Sequence, residues 1–136
     1  MTYALSAPLQ AALYDLLAGD AALSALVGGH VYDAVPPGEV PPLYVALGSE
    51  RVRERSDGTG AGAQHDITVS VVTGAAGFAQ AKVAAGAVCD ALDGARPPLS
   101  RGRIVAMTFQ KARARREQTG AVRRIDLTFR ARLDDA

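Results

Sequence analysis

Residues 123–134, RRIDLTFRARLD, alternate without a break between apolar and polar side chains. Ile125, Leu127, Phe129, Ala131 and Leu133 fall on one parity, Arg124, Asp126, Thr128, Arg130 and Arg132 on the other. Successive residues of a strand point to opposite faces, so this spacing demands a half-buried strand with one face in a core and a charged face outside it. Residues 103–113 alternate in the same way, with Val105, Met107 and Phe109 expected to face inward. A polar turn at Gln118-Thr119-Gly120 joins the two segments into a long basic antiparallel hairpin.

The rest of the chain is read against that hairpin. Ser6 is expected to cap a helix that tolerates Pro8 in its first turn, carries Leu9, Leu13, Leu16 and Leu17 on one face and stops at Gly19. Asp20 caps a short second helix through Leu23, Leu26 and Val27, ended by Gly28 and Gly29. Residues 30–33 read as a brief strand and the proline-rich run 35–42 as a stiff connector. Leu43, Val45 and Leu47 alternate up to a strand end near Gly48, and His65 to Thr73 resumes alternation through Ile67, Val69 and Val71. The charged, then glycine-rich stretch 49–64 is expected to form a long mobile loop or an extended hairpin tip. Phe78, Ala81, Ala85, Val88 and Leu92 recur at helical steps, and Gly94 with Pro97 and Pro98 ends that helix. The order α, α, β, β, β, α, β, β implies an α+β fold, a mainly antiparallel β-sheet with helices packed on one face and a long C-terminal β-hairpin.

At 136 residues the chain has the length of a single domain, residues 1–136. Much of its 49% hydrophobic content is alanine, with no tryptophan, so a thin, close-packed core is expected, and association would supply burial that the monomer lacks. There is no long apolar run and no basic-then-apolar leader, which predicts a soluble protein of the cytosol with no membrane partner. Residues 1–100 hold 5 Lys+Arg against 10 Asp+Glu, a net −5, whereas residues 101–136 hold 10 against 4, a net +6. Such a split speaks of partners: a nucleic-acid surface or a charge-steered protein interface.

Chemistry is hard to place. His30 and His65 stand in no metal-ligand spacing and are expected at the surface or a strand end, and the single cysteine, Cys89, has no second thiol. His65 and Asp66 are adjacent on a strand, so they point to opposite faces and cannot serve one triad. The glycines of residues 58–62 are followed by a strand, not by a helix N-terminus that could hold a phosphate. No catalytic residue, metal site or cofactor is expected. The basic residues remain: Arg51, Arg53 and Arg55 at alternate positions, then Lys111, Arg113, Arg115 and Arg116, and Arg124, Arg130 and Arg132 on the last strand. They would suit a nucleic-acid-binding module using the C-terminal hairpin, but the aromatic platforms of single-strand binders are missing between them, and an inter-subunit salt-bridge face fits better.

Taken in order, several segments resemble the small tail-completion or tail-terminator proteins of long-tailed phages and phage-like gene transfer agents. The segments are PLQAALY (8–14), DAAL (20–23) with LVG (26–28), VYD (31–33) before the prolines, and PLYVALG (42–48). His65 opening a strand, Gly77-Phe78 opening the alanine-rich helix, ALDG (91–94) closing it and the arginine-rich hairpin complete the likeness. The resemblance implies a non-enzymatic structural virion protein. Its subunit would form a homohexameric ring on the tail tube protein, stop tube growth and offer a docking face to the head-side connector or stopper protein. It would be made in the bacterial cytoplasm and work at the head–tail joint, with DNA passing through the ring without specific binding. A head-to-tail interface closes into such a ring when its rotation closes.

Overall fold

The computed structural model describes residues 3–55, 62–117 and 120–135. Three helices, α1 (Ser6–Ala18), α2 (Ala21–Val27) and α3 (Ala79–Leu92), pack on a sheet of five strands: β1 (Val31–Tyr32), β2 (Leu43–Glu54), β3 (Gly62–Thr73), β4 (Arg103–Arg116) and β5 (Arg123–Asp134). The sheet runs β1-β2-β3-β5-β4, and every pairing is antiparallel except the short parallel edge of β1 on β2. The expected α+β fold and closing hairpin are both present.

The centre of the sheet is the unbroken register of β3 on β5, from Gly62 opposite Asp134 to Thr73 opposite Arg123. It aligns Ile67, Val69 and Val71 with Phe129, Leu127 and Ile125 on one face, and all six are buried. The helices cover that face. Leu9, Leu13 and Leu17 of α1, Leu23 and Val27 of α2, and Ala81, Ala84, Ala85, Val88 and Leu92 of α3 join the same core. The alanines let α3 lie close against the strands, because a methyl group holds the helix axis nearer than a leucine would.

Local chemistry explains most helix ends. Asp20 caps α2 as expected, accepting from the Leu23 amide at 2.8 Å, and Gly28 ends the helix at φ 63°, where a side chain would be strained. Ser6 does not cap α1: the N-cap position is Leu5, which supplies no side-chain hydrogen bond, and the Ser6 hydroxyl is turned to Glu50. Phe78 stands at the N-cap of α3, half-buried against the core, and lies 5.7 Å beneath the Arg123 guanidinium.

Two strands depart from simple alternation. β2 does not end near Gly48; Gly48 and Ser49 together oppose Thr68 as a bulge, after which Glu50 to Glu54 pair with Ile67 to Ala63. A Cβ on Gly48 would stand 3.2 Å from the Thr68 carbonyl oxygen, so the bulge is tight. Residues 49–54 and 62–64, expected as loop or hairpin tip, are therefore hairpin strands, and residues 56–61 lie outside the described residues. β4 carries extra residues at Val105 and Gln110, which shift its phase. Ile104 and Met107 are buried where Val105 and Met107 were expected, and Phe109 faces the helix side opposite Phe129 yet stays 41% exposed, at the sheet edge.

Close packing of α3 has a measurable consequence. Ala84→Leu inserts three heavy atoms at a position with no exposed surface and is expected to cost about 1–3 kcal/mol. A urea melt should show a lower midpoint at unchanged slope; an unchanged midpoint would mean that α3 stands further from the sheet.

Candidate interaction surface

Residues paired across an antiparallel ladder share a face, so the register decides which charges are neighbours. Opposite the helices, one row runs Arg51, Asp66, Arg130 and Thr108, and the next Arg53, Gln64, Arg132 and Ala106. Towards the other end of the sheet come Thr68, Thr128 and Lys111, then Ser70, Asp126 and Arg113, then Val72, Arg124 and Arg115. With Arg103 opposite Asp134, this helix-free face carries nine cations and three carboxylates, Asp66, Asp126 and Asp134.

Eight of the nine arginines singled out in the sequence come together here. Arg55 joins them by donating from Nε to Gln64 Oε1 at 3.2 Å. The exception is Arg116, which pairs with Arg123 and so belongs to the helix-side face. Arg55 apart, the other seven divide into two kinds. Arg130 grips Asp66 through two hydrogen bonds, at 2.9 and 3.2 Å. Arg124 reaches Glu117 at 3.0 Å, Asp126 at 3.1 Å and the Ser70 hydroxyl at 3.1 Å, while Arg115 stands 3.6 Å from both Glu117 and Asp126. Arg51, Arg53, Arg113 and Arg132, with Lys111, make no ion pair among the described residues. A shallow basin of about 610 Å³ is lined by Arg51, Arg53, Asp66, Lys111 and Arg130.

The paired carboxylates stay charged. Arg130 holds the Asp66 carboxyl below its ordinary range through its hydrogen bonds, against a smaller opposing effect of burial. Burial would raise Asp126, but the hydrogen bonds from Ser70 and Arg124 outweigh it and the net shift is downward. These anions fix arginine geometry within the chain and leave the face net positive. The outer surface of the helices and their flanks leans the other way: Asp15, Asp33, Asp90 and Asp93 are exposed and Asp20 half-buried, against the exposed cations Lys82 and Arg96 and, at the far end of β4, Arg116.

A second polar cluster lies between α1 and the bulge. His65, expected at the surface or a strand end, lies near the start of β3 and is wholly buried, with Nδ1 3.1 Å from Glu50 Oε2. The Glu50 carboxylate also accepts from the Tyr3 hydroxyl at 2.6 Å and from Ser6 Oγ at 2.7 Å, and His65 Nε2 is buried with no partner among the described residues. Serine, histidine and carboxylate meet here in the wrong order for nucleophilic catalysis: the serine donates to the carboxylate, so the histidine cannot take its proton. The cluster instead ties the N-terminal segment to the sheet. The sequence marks only His65, which shares the parity of Ile67, Val69 and Val71; Glu50 is unmarked, because the Gly48–Ser49 bulge is what turns it to the helix side.

Among the described residues no group of three or more His, Cys, Asp or Glu side chains is placed to hold a metal ion, and no helix is long and apolar enough to cross a membrane. Cys89 is half-buried, and burial, then Asp93 and Asp90, push its thiol up, so the reactive thiolate is disfavoured.

Two expectations follow from these groups. Burial would raise Glu50, but the bonds from Tyr3, Ser6 and His65 prevail and its carboxyl is lowered; Asp66 and Asp126 are lowered too. Carboxyls depressed in the fold contribute stability above their unfolded values, about 4, and lose it as pH falls through the folded ones. Thermal melting should therefore weaken on acidification below about pH 5. Glu50→Gln should cost about 1–3 kcal/mol at neutral pH and flatten the acid slope; a parallel slope would remove Glu50 from the acid response. Cys89 in the native protein should react with a thiol reagent more slowly than in urea, and equal rates would contradict its shielding.

Two comparisons bear on what such a surface serves. The family model for "Tail completion protein gp17" matches residues 11–134. A chain of the solved structure described as "Virion of native gene transfer agent (GTA) particle" is 58% identical, with 98% of this chain and 99% of that chain covered at a TM-score of 0.93. No curated protein matches the chain. The family match takes in all but the first ten and last two residues, including both hairpins and α3, and the chain accordingly belongs to the tail completion protein gp17 family, a family of structural virion proteins and not of enzymes.

Proposed function

We propose that this protein is the terminator of a phage-like tail: a homohexameric ring that caps the tail tube protein at the head-proximal end and presents the docking face for the head-side connector or stopper protein. Its site of action is the head–tail joint of the particle, after synthesis in the bacterial cytoplasm, and DNA passes through the ring without specific binding. The observation that carries the reading is the 58% identity, over 98% of the chain, to a chain of a gene transfer agent virion. A TM-score of 0.93 over 98% of this chain and 99% of that one supports the same fold in the same kind of particle.

The fold supports the reading in a second way. β4 and β5 are 14 and 12 residues long, whereas α3, the helix above them, covers only part of their length. Phe109, Ala112 and Ala114 of β4 are left exposed on the helix side, so the hairpin offers surface to a neighbour on both of its faces. Arg51, Arg53, Arg55, Arg113, Arg115, Arg116, Arg124, Arg130 and Arg132 are the proposed interface cations. Those already held by Asp66, Asp126 and Glu117 would shape the face, and the unpaired ones would contact the partner.

The test uses tail tubes polymerised from purified tube protein. Addition of this chain should shorten the tubes and place one ring at one end, with a bound mass six times 14.1 kDa per capped tube. Tubes that keep their length distribution, or a chain that coats the tube wall, would refute the terminator role.

A further inference from the structure

The charge split seen along the sequence is a split between two layers of the fold. The helix-free sheet face carries Arg51, Arg53, Lys111, Arg113 and Arg132 with no ion pair among the described residues, and its carboxylates are taken up by Arg130, Arg124 and Arg103. The opposite surface exposes Asp15 on α1 and Asp90 on α3, neither in an ion pair among the described residues. One subunit is thus positive on its sheet side and net negative over its helices, with Arg116 at the end of β4 and Lys82 on α3 as cations on that side.

We infer that the repeated contact between copies of this chain is layer on layer: the acidic helix surface of one copy docks over the basic, helix-free sheet face of the next. The inference rests on the ring reading and adds which surface meets which. Charge complementarity between the two layers selects a second copy as the occupant, since the same chain supplies both signs on opposite sides. The contact joins unlike surfaces, so it is head-to-tail and leaves one unsatisfied face of each kind until a ring closes. In the assembly the sheet gains helices on its second face, the arrangement that covers both sides of a sheet in three-layer folds. A duplex against the same face would use the same cations, but the acidic helix surface would then have no role.

Two charge-reversal pairs test this. Arg53→Glu with Arg132→Glu inverts the sheet face at neighbouring positions flanking Gln64, away from the Arg115, Arg124 and Glu117 network. Asp15→Lys with Asp90→Lys inverts the helix surface at exposed positions that cap no helix. Each variant alone should stay monomeric under conditions where the wild type forms rings, with an unchanged melting temperature. An equal mixture should restore rings of alternating subunits, because every contact again pairs opposite charges. A mixture that stays monomeric overturns the layer pairing. So do variants that each form rings as the wild type does, and if the sheet-face variant then loses salt-dependent DNA retention, the face is a phosphate surface. Should either pair fail to fold, Arg51→Gln with Arg113→Gln removes charge without reversal and is expected to weaken ring formation; unimpaired rings contradict the proposal. A wild type that stays monomeric both alone and on tail tubes overturns the ring reading itself, and that result is distinct from all the others.

Discussion

A sheet covered on one side only governs the rest of this structure. β3 and β5 bury Ile67, Val69, Val71, Ile125, Leu127 and Phe129 against three helices, and among the described residues no helix lies above the alternate positions of the same strands. Because strand parity is strict, every residue that cannot enter the core is delivered to the other face. The basic surface is a consequence of the apolar one: the residues between Ile125 and Leu133 must be solvated, and here they are Asp126, Thr128, Arg130 and Arg132.

A bare row of like charges would weaken the sheet, since like charges directly opposite one another are destabilising. The face avoids part of that cost by interleaving acids. Asp66 lies between Arg51 and Arg130, and Asp126 is held by Arg124 with Arg115 nearby. Wet ion pairs of this kind contribute at most about 1 kcal/mol each, so their main effect is geometric: they hold the guanidinium groups in place on a rigid ladder. A contact built from such groups is weak once and strong when repeated, which suits a closed assembly better than a single docking event.

Most of the fold was legible in the sequence because its signals are local. The alternation of β5, the Asp20 cap, the Gly28 stop and the three-and-four spacing of α3 each depend on residues within a few positions of one another. The bulges were not legible: nothing in Leu47-Gly48-Ser49-Glu50 announces that two residues will oppose Thr68, and without that step Glu50 would point to the wrong face. The same missing step hid the diversion of Ser6 from cap to hydrogen-bond donor, whereas the burial of His65 follows the parity it shares with Ile67, Val69 and Val71. The arginine cluster was legible as residues but not as pairs, since Arg130 meets Asp66 across 64 positions and the β3–β5 register alone brings them together. Arg115 and Arg116 are adjacent and face opposite ways in any register, and the unmarked bulge at Gln110 is what puts Arg115, and not Arg116, on the basic face.

The central claim is that the uncovered face meets the helix surface of another copy. The chain has two lysines, Lys111 on the sheet face and Lys82 on α3, so a zero-length amine-to-carboxylate cross-linker can report it cleanly. In assembled rings made from equal parts of isotopically light and heavy subunits, the account predicts mixed-isotope peptides joining Lys111 to Asp15 or Asp90. Lys111 links confined to Asp66, Asp126 or Glu117 of its own chain, with no mixed-isotope peptide from the helix surface, would contradict it.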